Sequence, residues 1–366
     1  MSAARVDRLA RVRRAMAASG VDALLLSLGA DLPWLTGYQA MPLERLTMLV
    51  LPVDDDATLV VPGLEAPRVD HDPALFALRP WSELEDPVAI VAGLVGQRAS
   101  LAISDRAWAT FVLALQEALP ASRWTRASAV TSPLRAVKDA EEVHALAAAS
   151  AAADRVAAQL LAGDIALIGR REKDVSLDIS RRLLAEGHQE VNFAIVGSGP
   201  NSASPHHEPG PRVIGAGEAV VCDFGGTMDD YCSDITRTVF TGPPPEQFVE
   251  LYGVLQTAQV AGVRAGKVGV PCESVDAAAR QVIAEAGYGD AFIHRTGHGI
   301  GLEEHEDPYM VAGNTAVLAP GHAYSVEPGI YLAGRYGARI EDIVVATNEG
   351  PWALNEVDHS LVVLEV

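Results

Sequence analysis

Residues 220–238 read VVCDFGGTMDDYCSDITRT, an apolar, strand-like run followed by a turn and a second strand-like run. Two glycines lie between Asp223 and Asp234, which are eleven residues apart. This spacing predicts a β-hairpin that carries the two carboxylates on adjacent strands. A carboxylate buried beside Val, Ile and Phe loses several kcal/mol of hydration unless it has a partner. The hairpin therefore predicts charged groups in a place where charge needs compensation.

Three later segments embed a charged or imidazole side chain in similar apolar surroundings. They are HRTGHGIG (294–301) with His298, SVEPGIY (325–331) with Glu327, and ARIEDIV (338–344) with Glu341. The glycines around His298 remove side-chain bulk, which favours close approach of an ion or ligand. Glu327 and Glu341 are fourteen residues apart with a GRYG turn between them, which predicts neighbouring strands.

Together these residues have the composition of a site for two divalent metal ions. The candidate ligands are Asp223, Asp234, His298, Glu327 and Glu341. Two divalent cations balance four carboxylates, and the neutral imidazole completes the set. Such oxygen-rich sites suit Mn²⁺, with Co²⁺, Zn²⁺ or Fe²⁺ as competitors. Taken singly, each candidate ligand has an ordinary interpretation as a turn, cap or core residue. Asp229 and Asp230 are expected to be solvent-facing acids of the turn. The joint occurrence favours the metal site.

In their order and sequence, the segments that carry the five candidate ligands resemble the pita-bread metallopeptidases, and among them the proline-specific branch of Xaa-Pro dipeptidase (prolidase) and aminopeptidase P. The resemblance extends to DLPWLTGY (31–38), LRAVKDAEEV (134–143) and VGSGPNSASPHH (196–207), and so covers nearly the whole chain. It implies an α/β N-terminal domain like that of creatinase, over 1–131. It also implies an α+β pita-bread catalytic domain over 132–366.

The resemblance also implies a role for each candidate ligand. Asp234 and Glu341 are expected to bridge the two ions, Asp223 to chelate one, and His298 and Glu327 to bind the other. A water or hydroxide between the ions is then expected to attack an amide carbonyl, with Glu327 as proton acceptor.

Further active-site residues are implied by the same match. His206, His294 and His305 correspond to histidines that orient the carbonyl and assist proton transfer without binding metal. His294 has an alternative role, holding another side chain by a hydrogen bond. Arg339, two residues before Glu341, is expected to orient that carboxylate or an acidic neighbour. His207 is expected at the rim.

Substrate length is less sharply predicted. The resembling enzymes are homodimers whose N-terminal domain lends a loop to the partner's active site, and Tyr38 and Arg45 are candidates to reach it, whereas Trp34 is expected in the core. Many prolidases have Arg after an HExP-like segment, but HEDP is followed here by Tyr309. We expect Arg45 to bind the substrate carboxylate instead. The favoured activity is that of a dipeptidase on short proline-containing peptides, and aminopeptidase P is the alternative. A metal-free binding module or creatinase is more distant, because such proteins typically replace the ligand residues.

Composition is compatible with this interpretation. The 366 residues predict two domains, and the net charge of −20 argues against a nucleic-acid partner. Only Cys222, Cys232 and Cys272 occur, an odd number without metal-binding spacing, so we expect a reducing cytoplasm. The basic start has the spacing of an amphipathic helix, and no signal or membrane segment is predicted.

Hydrophobic periodicity predicts an N-terminal region of alternating strands and helices. Strands are expected at DALLLS, LTMLVLP, ATLVVP and ASLAIS, and helices at 3–18, 86–95 and 107–118. An alanine-rich helix is expected over roughly 138–162, beginning near Lys138. Further helices are expected near 171–187, 246–264 and 273–286, surrounding the metal-bearing strands.

Overall fold

The computed structural model describes residues 2–365, with side chains described from residue 4 onward. The chain forms two compact units, Met1–Arg135 and Ala136–Val366. The predicted boundary at 131/132 falls inside helix α5 (Ser128–Ala136), four residues before the division between the two units. Within the described residues, no helix combines the length and apolar character needed to cross a bilayer.

The N-terminal unit is built on one mixed six-stranded sheet with the strand order β4-β3-β2-β1-β5-β6. The strands are β1 (Ala23–Leu26), β2 (Met48–Pro52), β3 (Thr58–Pro62), β4 (Ala77–Trp81), β5 (Ser100–Ile103) and β6 (Arg123–Arg126). The helices before α5 are α1 (Ser2–Ser19), α2 (Asp31–Thr36), α3 (Pro87–Val95) and α4 (Ala109–Ala118). Each predicted strand and helix of this unit has a counterpart here.

Two strands of this sheet, β4 and β6, escaped prediction. Both are edge strands, and most of their residues are exposed or only partly buried. An edge strand with polar side chains has no apolar alternation, so hydrophobic periodicity does not detect it. The short helix α2 was also missed because its six residues span less than two turns.

The C-terminal unit contains four long helices close to the predicted positions. They are α6 (Ala140–Leu161), α7 (Glu172–Ala185), α8 (Glu246–Ala265) and α9 (Glu273–Glu285). The alanine-rich helix α6 begins after Asp139, whose side chain accepts from the Glu142 amide at 3.0 Å. The Glu142 carboxylate in turn accepts from the Asp139 amide at 2.9 Å. This capping box explains why the helix begins just after Lys138.

The strands of this unit form two five-stranded sheets and one two-stranded hairpin. The strands are β7 (Glu190–Ser198), β8 (Glu218–Met228), β9 (Tyr231–Cys232), β10 (Ile235–Thr241), β11 (Gly297–Gly299), β12 (Glu306–Met310), β13 (Ala323–Val326), β14 (Gly329–Leu332), β15 (Tyr336–Arg339), β16 (Asp342–Thr347), β17 (Gly350–Ala353) and β18 (Val362–Leu364). The first sheet has the order β18-β10-β8-β7, with β9 paired to β8. The second has the order β12-β11-β13-β16-β17, and β14 pairs with β15.

The hydrophobic core decides which way the β8 side chains face. Cys222 and Phe224 on β8 belong to a fully buried cluster with side chains of α6 and α7. Successive strand residues point to opposite faces, so Asp223 faces away from these helices. Burying each large apolar side chain in such a cluster contributes about 1.5–3 kcal/mol, which fixes this strand orientation.

Candidate metal centre

Asp223 and Asp234 lie on adjoining parts of one antiparallel ribbon. Asp223 is in β8 opposite Thr236, and Asp234 lies directly before β10. The intervening turn at Asp229 and Asp230 has positive φ at both residues, as the tight turn between β8 and β9 requires. Both turn acids are exposed, in agreement with their expected role.

The other three candidate ligands come from the second sheet. His298 is the middle residue of β11, Glu327 follows β13, and Glu341 precedes β16. Val326 pairs with Asp342, so Glu327 and Glu341 lie at the ends of adjoining strands. The Glu341 amide donates to the Thr236 carbonyl at 3.1 Å, which joins the second sheet to the first at the centre.

Ligand atoms of the candidate residues lie close together, as expected if they share metal ions. Single ligand atoms of Asp234, His298 and Glu341 lie within 4.8 Å of one another. His298 Nε2 lies 3.7 Å from Asp234 Oδ2 and 3.3 Å from Glu327 Oε1. Burial and the neighbouring Glu341, Asp223 and Glu327 all raise the pKa of Asp234, which places the whole set in one electrostatic cluster.

Three carboxylate oxygens in this cluster have no hydrogen-bond partner. They are Asp223 Oδ1, Asp234 Oδ1 and Glu341 Oε1, and across residues 4–365 they are the only buried carboxylate oxygens in this condition. Their residues are only 8%, 4% and 2% exposed, respectively. Leaving a buried charged acceptor unsatisfied costs at least about 1–3 kcal/mol. Unpartnered oxygens at the residues predicted as ligands fit a site built for cations.

The electrostatics of the carboxylates lead to the same conclusion. Burial raises the pKa of Glu341 well above its ordinary range, and the charges of Glu327 and Asp223 raise it further. The pKa of Asp234 is raised in the same way, by burial and by the charges of the neighbouring carboxylates. Cations at the centre would supply the charge that keeps these groups ionised at neutral pH.

The tautomer of His298 leaves one nitrogen available to a metal. Its Nδ1 lies 3.1 Å from the Gly299 carbonyl oxygen, which only accepts, so Nδ1 carries the proton. The Nε2 lone pair then faces Asp234 and Glu327. From the sequence, we expected the flanking glycines to let an ion or ligand approach the imidazole. In the structure, they make room for neighbouring backbone. A Cβ on Gly297 would lie 1.8 Å from the Ser325 carbonyl oxygen, so these glycines allow neighbouring backbone to approach.

Arg339 links the carboxylates to a hydrogen-bond network. Its guanidinium donates to Asp223 Oδ2, to the Tyr331 hydroxyl at 2.8 Å and to Thr236 Oγ1 at 3.1 Å. Thr236 Oγ1 donates onward to Glu341 Oε2 at 2.7 Å. The acidic group that Arg339 contacts directly is therefore Asp223, and it reaches Glu341 through Thr236. Neither Thr236 nor Tyr331 was singled out from the sequence, although both lie within quoted segments.

His294 and His305 flank the cluster in different ways. His294 Nδ1 donates to the Arg295 carbonyl at 2.7 Å, so its Nε2 accepts from the Tyr331 hydroxyl at 2.9 Å. The His305 ring lies 3.8 Å from the His298 ring, measured between centroids. Burial lowers the pKa of His294, whereas burial and His298 lower that of His305 to about 4. Both rings are therefore neutral at pH 7.

The adjacent histidines His206 and His207 have different surroundings. His206 is close enough to contribute to the lowered pKa of both His294 and His305. His207, expected at the rim, is half-buried, and its Nε2 lies 2.8 Å from Glu172 Oε2. Glu172 is fully buried and also accepts from the Ser198 amide and hydroxyl, at 2.9 and 2.7 Å. Sequence reasoning missed Glu172 because an acid in the first turn of a helix is usually solvated.

The candidate substrate-binding residues are spread over both units. In the N-terminal unit, Tyr38 is buried and donates to Glu65 at 2.9 Å, and Arg45 binds Glu83 at 2.8 Å and Glu44 at 2.7 Å. Trp34 is a core residue, as expected. In the C-terminal unit, the ring of Tyr309 lies 4.3 Å beneath the Arg295 guanidinium.

The fold and this centre define a metal-dependent hydrolase. The Metallopeptidase family M24 model matches residues 139–348, and the Creatinase/Prolidase N-terminal domain model matches residues 8–137. The chain therefore belongs to metallopeptidase family M24. This confirms the resemblance and the two-part fold that were predicted from the sequence.

Similar proteins cover the chain almost from end to end. A probable dipeptidase PepE from Mycobacterium tuberculosis is 45% identical over 364 residues, covering 98% of this chain and 96% of that protein. A Xaa-Pro dipeptidase from Lactobacillus helveticus is 34% identical, covering 95% and 96% respectively. The crystal structure of dipeptidase PepE from Mycobacterium ulcerans matches with a TM-score of 0.93 and 44% identity, covering 100% of this chain and 99% of that one. A prolidase from Thermococcus sibiricus matches with a TM-score of 0.92 and 35% identity, covering 98% of both chains.

Proposed function

We propose that this chain is a two-metal dipeptidase that hydrolyses the bond before proline in Xaa-Pro dipeptides. The observation that carries the proposal is the group of buried, unpartnered carboxylate oxygens on Asp223, Asp234 and Glu341. The names of relatives along the whole chain, among them a Xaa-Pro dipeptidase, support the substrate class. A bond to proline lacks an N–H and has a rigid ring, so it needs a dedicated site.

The metals proposed are two divalent ions, with Mn²⁺ favoured over Co²⁺, Zn²⁺ or Fe²⁺. The oxygen-rich ligand set supports this preference. Asp234 and Glu341 would be shared by both ions, Asp223 would hold one, and His298 and Glu327 would hold the other. When bound, such ions lower the pKa of a water molecule and polarise the substrate carbonyl.

The protein's own groups have separate roles in this proposal. Glu327 Oε1 accepts from the Ser325 hydroxyl at 3.0 Å, so its Oε2 is the atom proposed to take up the proton of the attacking water. His206 and His305 are proposed to orient the carbonyl and to assist proton transfer to the proline nitrogen. His294 and Arg339 hold Tyr331 between them and so fix the position of Asp223.

The proposed assembly is a homodimer in the cytoplasm. Three free, buried cysteines are compatible with a reducing compartment. In the dimer, a loop of the N-terminal unit carrying Tyr38 and Arg45 is proposed to limit access to short peptides, and Tyr309 to line the substrate site. The Glu44 and Glu83 contacts of Arg45 would have to open for this role.

The proposal is tested by comparing hydrolysis of Ala-Pro and Met-Pro with hydrolysis of Ala-Pro-Ala by Mn²⁺-loaded enzyme. Chelated enzyme is the control. Cleavage confined to the dipeptides supports the dipeptidase, whereas efficient tripeptide cleavage identifies an aminopeptidase P. No metal-dependent hydrolysis of any of the three would contradict both activities and favour a binding module.

A further inference from the structure

Glu172 is a buried carboxylate whose two oxygens hold the two ends of one segment. It lies in the first turn of α7 and is fully buried. Its Oε1 accepts from the Ser198 amide at 2.9 Å, from the Ser198 hydroxyl at 2.7 Å and from Asn201 Nδ2 at 3.0 Å. Its Oε2 accepts from His207 Nε2 at 2.8 Å and from the Gly210 amide at 3.4 Å. One side chain thus joins the two ends of the segment that runs from Ser198 to Gly210, which we call the histidine segment.

His206 lies in a β-turn inside the histidine segment. The His207 amide donates to the Ser204 carbonyl at 3.2 Å, which closes a four-residue turn with Pro205 and His206 at its central positions. Proline at the first central position favours such a turn because its φ is already fixed. The residue that closes the turn, His207, is also the residue whose ring donates to Glu172. The turn that carries His206 is therefore bound directly to the buried carboxylate.

The same turn contacts the candidate metal centre. Arg339 Nη2 donates to the Pro205 carbonyl at 3.4 Å, and the same nitrogen donates to Asp223 Oδ2. His206 follows Pro205 directly in the chain. Burial lowers the pKa of His305, and His206 is close enough to contribute to that lowering. The position of His206 beside the centre is thus set by the histidine segment, whose ends the buried carboxylate joins.

Glu172 is ionised at neutral pH. Burial alone would raise its pKa, but hydrogen bonds from His207, Ser198 and Asn201 lower the pKa below its ordinary value. Hydrogen bonds to a charged acceptor are roughly twice as strong as those between neutral groups. An amide in place of the carboxylate would have one oxygen and one NH₂ group, so the donors at one end of the segment would face a further donor.

We propose that Glu172 is a positioning residue for His206 and acts through the histidine segment. The inference rests on the proposed function, in which His206 orients the substrate carbonyl or assists proton transfer. Displacement of a catalytic group by about 1 Å can reduce the rate about 10²-fold. A carboxylate that fixes both ends of the segment limits such displacement without taking part in the chemistry.

The first test compares kcat and KM for Ala-Pro in the Mn²⁺-loaded wild type and Glu172→Gln. We expect kcat to fall about 10–100-fold and kcat/KM to fall by the same factor, with the metal content of the wild type. Asp174→Asn is the matched control, because Asp174 lies in the same helical turn but is partly exposed and pairs with Arg171 at 2.7 Å. This control should behave as wild type. An unchanged kcat in Glu172→Gln would overturn the inference.

A double-mutant cycle shows whether the loss acts through His206. In a His206→Ala background, Glu172→Gln should lower kcat by less than about threefold, because the group that Glu172 positions is already absent. Additive losses would overturn the inference, since Glu172 would then act on the fold as a whole.

His207 provides a second test if Glu172→Gln fails to fold. His207→Gln retains an N–H donor near the position of Nε2, whereas His207→Ala retains none. We expect kcat to be about tenfold lower in His207→Ala than in His207→Gln, and this difference should vanish in the His206→Ala background. Equal kcat values in the two His207 variants would overturn the inference.

Nuclear magnetic resonance of the histidine rings separates this inference from the proposed function. In Zn²⁺-loaded protein, the His206 ring signal, identified by its loss in His206→Ala, should shift in Glu172→Gln and stay in place in Asp174→Asn. If the wild type cleaves no Xaa-Pro dipeptide but this shift occurs, the proposed function fails and the positioning of His206 by Glu172 stands. An unmoved His206 signal in Glu172→Gln would overturn the positioning role, whether or not the enzyme is active.

Discussion

Glu341 and Asp342 are consecutive in the chain and only 2% and 1% exposed, yet their carboxylates have opposite surroundings. Asp342 accepts from Arg237 and Gln259 at 2.8 Å each and from His359 at 2.7 Å. Glu341 has one partner, Thr236, and its second oxygen has none. Neighbouring residues in an extended chain face opposite ways, so one acid faces a satisfied network and the other faces the centre.

The difference shows how the surroundings of a structural carboxylate differ from those of a carboxylate proposed to bind an ion. Burial by itself raises the pKa of Asp342, but the hydrogen bond from His359 and the charge of Arg237 lower it below its usual value. Burial and like charges raise the pKa of Glu341. The protein therefore supplies a cation to Asp342, whereas the charge of Glu341 would be compensated by the metal ions proposed to bind there.

The largest expected effect is loss of activity in Asp234→Asn. Removing one of the carboxylates proposed to be shared by both ions should weaken metal binding, so kcat/KM for Ala-Pro should fall at least about 10³-fold, equivalent to several kcal/mol. Steady-state kinetics at saturating Mn²⁺ measures this change. Asp230→Asn, at the exposed turn of the same ribbon, should behave as wild type. Full turnover by Asp234→Asn would contradict the role of the cluster.

Asp342→Asn should damage stability rather than chemistry. It leaves Arg237 as a buried, uncompensated cation, which costs about 3–5 kcal/mol of unfolding free energy. Urea unfolding in the presence of chelator measures the loss. The folded variant should still bind metal. A loss below about 1 kcal/mol would mean that the Arg237 network is not structural.

Glu341→Gln should change the free energy of unfolding in the opposite direction, measured on the metal-free protein. Removing one of several crowded negative charges should stabilise the fold by about 1 kcal/mol, as urea unfolding in chelator would show.

The stabilisation by Glu341→Gln should depend on pH. The folded wild type holds the Glu341 proton to higher pH than the unfolded chain, for which the ordinary pKa is 4.5. Its stabilising contribution is therefore present below pH 4.5 and is lost as pH rises through the raised pKa. The advantage of Glu341→Gln should accordingly grow with pH, and destabilisation at pH 7.5 would contradict the comparison.

His322 extends the comparison of buried titratable groups to a side chain that the fold keeps neutral. Its Nδ1 accepts from the Ala319 amide at 3.2 Å, and burial with nearby Lys138 lowers its pKa to about 4. The unfolded chain takes up this proton below 6.5, so wild-type stability should fall as pH drops from 6.5 to 4. His322→Asn keeps an acceptor and should reduce that slope by at most about 1.4 kcal/mol per pH unit. Identical slopes for the two proteins, from urea unfolding across this range, would contradict the neutral assignment.

The sequence predicted much of the fold because its helices and central strands carry strong apolar periodicity. The helix over α6 is marked by its alanines, and the strands around Asp223 and Glu341 by their apolar runs. Hydrophobic periodicity did not detect the edge strands β4 and β6, because exposed strands need no apolar alternation.

The candidate ligands and histidines were predicted from motif wording, whereas their partners were not. The carboxylate of Asp342 is bound by Arg237, 105 residues earlier, and that of Glu172 holds Ser198 and Asn201 across a strand and a turn. Such pairings depend on tertiary packing, which local pattern does not encode.

The most direct test of the central claim is the number of metal ions bound per chain. Protein saturated with Mn²⁺, freed of excess metal by gel filtration and measured by elemental analysis, should contain two ions per chain in the wild type and in Asp230→Asn, and fewer than one in Asp234→Asn. Wild type without bound metal, or Asp234→Asn with two ions, would contradict the account.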